Sequence, residues 1–174
     1  MSDALGGLVN IAIIVFVSLL IIGYMAFNIN YSKAFKVKNY IVSTFEKYNG
    51  KCASYGPLNS ACNKQVNDYL QEVGYGNTGI KQSDGPVVDY LSCNGKVDGL
   101  EKDCDNNISC VDGKYCYKKY YTSYNLTNNT RKFYFKIVTK ADIEVPVIHN
   151  VVGMINIFYI VGSTEIMEEA ISIK

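Results

Sequence analysis

Tryptophan is absent from this 174-residue chain, histidine occurs once, at His149, and arginine once, at Arg131. A single imidazole leaves little material for acid–base catalysis near neutral pH. Charged residues make up only 19% of the chain and the net charge is +1, which excludes a nucleic-acid binder that depends on a basic face. The sequence holds no phosphate-binding glycine loop and no kinase, hydrolase or dinucleotide motif. It supports no catalysis and implies no cofactor. Hydrophobic residues, at 48%, are enough for one packed core and too many for a disordered chain.

What is present is unevenly spread. From Leu8 to Phe27 the chain reads LVNIAIIVFVSLLIIGYMAF, without a charge and with only Asn10 and Ser18 as clearly polar interruptions. A hydrocarbon layer ~30 Å thick needs roughly 20 such residues in a helix. A cleaved secretory signal is the competing reading, but it needs a positive start, a shorter apolar run and a small-residue cleavage site. The first seven residues, MSDALGG, carry Asp3 and no lysine, and no A-x-A follows the apolar run. A retained membrane helix over 8–28 is expected.

Past Phe27 the chain is wetter but still periodic. Ala34, Val37, Ile41, Phe45 and Tyr48 recur at steps of three and four, while Lys33, Lys36, Asn39, Ser43, Glu46 and Lys47 fall largely opposite. Asn49-Gly50 supplies a C-terminal stop. No proline or glycine interrupts the chain between Gly23 and this stop, so one continuous helix is expected, with an amphipathic extension over 29–48. An anchor followed by a separate juxtamembrane helix is the alternative.

Residues 49–174 read as one small mixed head. Asn59 or Ser60 can cap a short helix to about Val73, with Cys62, Val66, Tyr69, Leu70 and Val73 as its buried face and Gly74 as its end. Tyr75 to Asp112, rich in Gly, Asn, Asp and Ser, reads as loops. Tyr115, Tyr117 and Tyr121 alternate with lysines in a strand that ends in a turn over Asn125–Thr130. Phe133, Phe135, Ile137, Thr139, Ala141, Ile143 and Val145 then occupy every odd position, against Lys132, Lys136, Lys140, Asp142 and Glu144 on even ones. Such alternation predicts a strand with one buried and one wet face, stopped by Pro146. After a turn near His149–Gly153, Met154 to Val161 reads as a further strand closed by Gly162. The expected class is α+β: a long N-terminal helix laid on the apolar face of a small antiparallel sheet.

The six cysteines, Cys52, Cys62, Cys93, Cys104, Cys110 and Cys116, all follow the apolar segment. An even number in a loop-rich, tethered head points to disulfides and an oxidising compartment. Cys52 with Cys62 would close the turn after the long helix, leaving the other four to staple the loops. Zinc is disfavoured because the short-spaced C-x₂₋₄-C knuckle is missing. Topology contains a conflict. Lys33, Lys36 and Lys38 flank the helix and argue by the positive-inside rule for a cytoplasmic head, whereas the cysteines argue for the outside. The outside is preferred.

Other candidate sites are weaker. Asp98, Glu101, Asp103, Asp105, Asn106 and Asp112 offer hard oxygen ligands for calcium, but the spacing of an EF-hand is absent, so a solvated loop is the simpler reading and no metal is expected. His149, beside Pro146, reads as structural or exposed, and a Cys–His nucleophile would need a free thiolate. Asn30, Asn107, Asn125 and Asn128 each open an N-x-S/T triplet, frequent by chance in an asparagine-rich chain. The tyrosine–lysine strand suits either a sticky surface or an ordinary solvated sheet face.

The helix start GGLVNIAIIVFVSLLIIGYMAFNINYSKAFKVKN, the segment YLQEVGYG and the paired FYFKIVTKADIEVPVI and INIFYIVGST together resemble type IV pilins and pseudopilins, most closely TadE-like pseudopilins of Gram-positive bacteria. The resemblance implies a leader over 1–7, removed by a prepilin peptidase between Gly7 and Leu8, and a pilin-like head. It also implies other pilin-like subunits as partners, met through the N-terminal helix. Such proteins usually carry glutamate at the fifth mature position. Here that position is Ala12, with Asn10 the only polar residue nearby, which fits a minor or initiating component better than a major filament subunit. The expected function is a structural subunit of a surface pilus or secretion apparatus. A permanently anchored extracellular module for binding or adhesion is the alternative. An enzymatic reading survives only with a free cysteine near His149.

Overall fold

The computed structural model describes residues 2–53, 61–93, 103–105, 107–125, 129–141 and 158–170. One unbroken helix, α1 (Ser2–Lys47), forms the spine. At 1.5 Å per residue its 46 residues span about 69 Å. Its end is set by hydrogen bonds from Asn49 N–H to the Glu46 carbonyl (2.9 Å) and from Gly50 N–H to the Phe45 carbonyl (2.8 Å). Asn49 adopts φ 49°, so the chain turns through the left-handed conformation expected of such a cap.

A short 3-10 turn (Lys51–Ala53) follows, and then α2 (Ala61–Glu72) packs beside α1, burying Cys62, Val66 and Leu70. The expected face of α2 is thus present, with Tyr69 and Val73 partly buried against the same core. Gly74, at φ 61°, ends the helix; Tyr75 N–H reaches back to the Leu70 carbonyl at 2.8 Å.

The remaining elements build an antiparallel sheet. β1 (Asp103–Cys104) and β2 (Ser109–Val111) lie end to end along one side of β3 (Tyr115–Asn125). β4 (Thr130–Ala141) pairs with the other side of β3. On the far side of β4, β5 (Phe158–Ser163) and β6 (Met167–Ala170) again lie end to end. Thr164 joins them: its hydroxyl accepts from Phe135 N–H, and its own N–H donates to the Phe135 carbonyl, both at 2.9 Å.

The lower half of the head is a helix-on-sheet sandwich. Ala34, Val37, Ile41 and Phe45, all fully buried, form the expected stripe on α1 and meet Phe133, Phe135, Ile137 and Ala141 of β4. Phe45 stands edge-on to Tyr117 and Phe135, with ring centres 5.3 Å away in each case. Such edge-to-face packing adds to the area term that drives the contact.

The opposite face of the sheet is not wet. The segment expected as loop contains α3 (Gly85–Tyr90) as well as β1 and β2. Ile80, Val87 and Leu91 of this region pack with Cys116 and Val138 into a second small core. Consequently Lys140 is buried, with its ammonium donating to the Thr78 carbonyl at 2.6 Å, and Lys136 is half-buried; only Lys132 of the three is exposed. The alternation correctly marked the helix-facing side, but the cover on the other side comes from a distant, polar-looking stretch. The expected strand residues Ile143 and Val145, the stop at Pro146, the turn at His149–Gly153 and the start of a strand at Met154 lie outside the described residues.

Candidate functional site

The apolar half of α1 is the feature that demands a partner. From Leu8 to Ile29 every large apolar side chain except Phe27 is 42–69% exposed. The exposed positions include the consecutive runs Ile13–Val17 and Leu19–Ile22, so the greasy surface encircles the helix rather than forming one stripe. Transfer of the fourteen Leu, Ile, Val and Phe side chains of this stretch into a bilayer is worth roughly 4–8 kcal/mol in total. Two of the polar side chains inside it are satisfied locally. The Ser18 hydroxyl donates to the Ile14 carbonyl at 2.8 Å, and the Asn28 amide to the Tyr24 carbonyl at 2.9 Å. This is the one helix among the described residues that is long and apolar enough to cross a membrane.

Gly7 and Leu8, the expected processing positions, lie within α1; a Cβ at Gly7 would meet nothing within 4 Å. At the other end of the apolar stretch, two of the three flanking lysines are engaged with the protein itself. Lys33 donates to the Gly74 carbonyl at 2.7 Å, and Lys38 lies 4.3 Å from the Phe35 ring centre with its stem against Gly162. Lys36 is exposed.

The cysteines pair as Cys52–Cys62, Cys93–Cys104 and Cys110–Cys116, with Cα atoms 5.3, 6.2 and 4.0 Å apart. The first pairing is the expected one; it ties the end of α1 to the start of α2. The third bridges directly opposed residues of β2 and β3. All six cysteines lie in these pairs.

Of the calcium candidates, the structure describes the side chains of Asp105 and Asp112. Asp105 accepts a hydrogen bond from the Tyr121 hydroxyl at 2.8 Å, whereas Asp112 sits in the β2–β3 turn at φ 47°. Asp103 pairs through its backbone with Tyr121, and Asp98, Glu101, Asn106, Asn128 and His149 lie outside the described residues. Among the described residues no three His, Cys, Asp or Glu side chains are grouped to hold a metal.

A groove of about 460 Å³ lies past the end of α1, between Gly50, the 105–109 segment, β3, β4 and β6. Some of its lining groups are paired. Lys119 pairs with Glu169 at 2.5 Å and covers the Phe133 ring at 4.1 Å, while the Arg131 guanidinium stacks 3.4 Å over Tyr121. In the tyrosine-rich strand Tyr115 and Tyr120 are 1% and 2% exposed, whereas Tyr117 and Tyr121 are partly exposed and line this groove. Burial pushes both phenols above the usual tyrosine range, and Tyr121 is raised by burial together with its bond to Asp105. Tyr159, partly buried and donating to Asp84 at 3.1 Å, is pushed up to about 12 by burial first and the Asp84 charge second.

Sequence reasoning missed two long-range contacts: the Phe27 ring against Phe158 at 5.0 Å, and the Glu46 carboxylate accepting from Glu165 N–H at 2.7 Å. Neither has a local signal. Comparison with protein-family models, curated proteins and solved structures finds no match to this chain.

Proposed function

We propose that this chain is a structural, pilin-like subunit, a minor TadE-like pseudopilin, of a bacterial surface pilus or Tad/type IV-like secretion apparatus. The observation that carries the reading is the division of α1: apolar and exposed all round from Leu8, then buried as the spine of the head from Ala34. A helix built this way can stand in lipid and later exchange lipid for neighbouring apolar helices with little change in burial. The rigid connection to the head lets helix packing set where each head sits.

The head faces outward in this reading. Three cysteine pairs favour an oxidising compartment. The opposing signal, the lysines after the helix, is weakened at Lys33, whose ammonium is held by the Gly74 carbonyl of the head. A prepilin peptidase acting between Gly7 and Leu8 would have to unwind the first turns of α1 to reach the bond.

The test is the mature N-terminus together with the location of the chain. A start at Leu8, with the protein recovered in sheared surface fibres, supports the assembly reading. An intact Met1 and retention in the membrane fraction alone supports a permanent extracellular anchor instead, with the groove beyond Gly50 as its outermost feature.

A further inference from the structure

Resting on the membrane placement of α1 proposed above, we infer that the head is seated on the phospholipid surface by a second contact, the Phe158 ring, in addition to the helix itself. The apolar run of α1 ends at Phe27, about 30 Å along the axis from Leu8, which sets Phe27 at the edge of the hydrocarbon layer. Phe158 belongs to the first position of β5, yet its ring stands edge-on to Phe27 with centres 5.0 Å apart. Phe27 in turn contacts Tyr31, at 5.9 Å. The level of the helix end is thus shared by a residue of the head.

The exposure of these rings has a direction. Phe158 is 38% exposed and Tyr31 42%, on a rim that continues directly into the exposed apolar surface of the helix. Farther along α1 come the amines: the exposed Lys36 stands about 13 Å beyond Phe27 along the axis, while Lys33, about 9 Å beyond it, is held by the Gly74 carbonyl. Rings at the hydrocarbon edge with amines beyond them reproduce the order of a membrane–water interface, where aromatic side chains sit among headgroups and lysines reach the phosphates. A sister helix in register would set its own Lys36 amine beside this one, so the ordered match selects phospholipid, whose phosphates attract it. The seat restrains the head against tilting about α1 and directs the groove beyond Gly50 away from the membrane.

Because the chain contains no tryptophan, one substitution at a time creates a single fluorescent reporter. Full-length Phe16→Trp, Phe158→Trp and Lys51→Trp are placed in vesicles whose lipids are brominated either deep in the chains or near the headgroups. The expected pattern is deep quenching of Phe16→Trp, no quenching of Lys51→Trp, and about twofold quenching of Phe158→Trp by the shallow bromines with a blue-shifted emission. Quenched Phe16→Trp beside unquenched Phe158→Trp overturns the seat and leaves the membrane reading standing. Unquenched Phe16→Trp overturns the membrane reading, and the seat with it. Lys51→Trp quenched as strongly as Phe158→Trp shows a head lying down without a defined rim and also overturns the proposal. If Phe158→Trp fails to form the three native disulfides, 4-fluorophenylalanine at position 158, read by fluorine NMR against lipids spin-labelled at the headgroup or deep in the chains, takes its place with the same expectations.

Discussion

Tyr75 substitutes for a missing strand beside Lys140. Its hydroxyl donates to the Lys140 carbonyl at 2.7 Å and accepts from the Lys140 N–H at 3.1 Å, just past the point where β3 pairing ends at Tyr115 and Thr139. One phenol therefore satisfies both backbone groups of a buried residue. Tyr75→Phe keeps the ring and orphans both groups, so the head should lose about 1–3 kcal/mol of stability. Denaturant unfolding of the full chain in detergent, followed by near-ultraviolet circular dichroism, measures this.

The turn after α1 gives a paired prediction from two glycines. A Cβ at Gly50 would come within 2.7 Å of the Phe135 ring and 2.9 Å of the Phe133 ring, and Gly50 has φ +73°. Gly50→Ala should cost more than about 1 kcal/mol through strain and overpacking. Gly76 is exposed with nothing within 4 Å of such an atom, and Gly76→Ala should change the unfolding midpoint little.

The Cys52–Cys62 link closes a short loop with a sequence separation of 10. Constraint of the unfolded chain predicts a loss of about 3 kcal/mol for the double Cys52→Ser, Cys62→Ser variant. Because the link ties α2 to α1, hydrogen exchange should rise first in Ala61–Glu72, whereas amides of Leu8–Phe27 in a bilayer should be unaffected. Equal acceleration in both helices would contradict the division of α1 into two independent regions.

Alkali should unfold the head. Tyr115, Tyr120, Tyr121 and Tyr159 hold their protons more tightly in the fold than the ordinary tyrosine value of 10.0, Tyr159 up to about 12. Above pH 10 the unfolded chain sheds these protons while the folded one keeps them, so stability falls as pH rises; below pH 10 it is fully present. Tyrosinate absorbance during titration should show a delayed fraction that appears together with loss of near-ultraviolet dichroism. Smooth ionisation of all fifteen tyrosines with the fold intact would refute the assignment.

Much of this architecture is readable in the chain because its causes are local. Ala34, Val37, Ile41 and Phe45 declare their face by spacing alone, and the odd positions of β4 from Phe133 to Ala141 declare theirs. Lys140 departs from the wet face that the alternation predicts for a physical reason: its apolar stem accepts burial while its ammonium finds the Thr78 carbonyl. The covering residues Ile80, Val87 and Leu91 are scattered in a stretch of turn-forming composition, so nothing local marks them as a second core. Cys52 and Cys62 are near neighbours across one turn and pair legibly. Cys110–Cys116 follows from strand register, which spacing does not reveal. Phe27 and Phe158 come from distant parts of the chain, and only the fold brings them together.

Non-reducing peptide mapping of the chain taken from isolated membranes tests the central claim of a membrane-held helix bearing an outward-facing head. The account predicts recovery in the membrane fraction with Cys52–Cys62, Cys93–Cys104 and Cys110–Cys116 linked and no free thiol. Six reduced cysteines, or recovery in the soluble fraction, would contradict it.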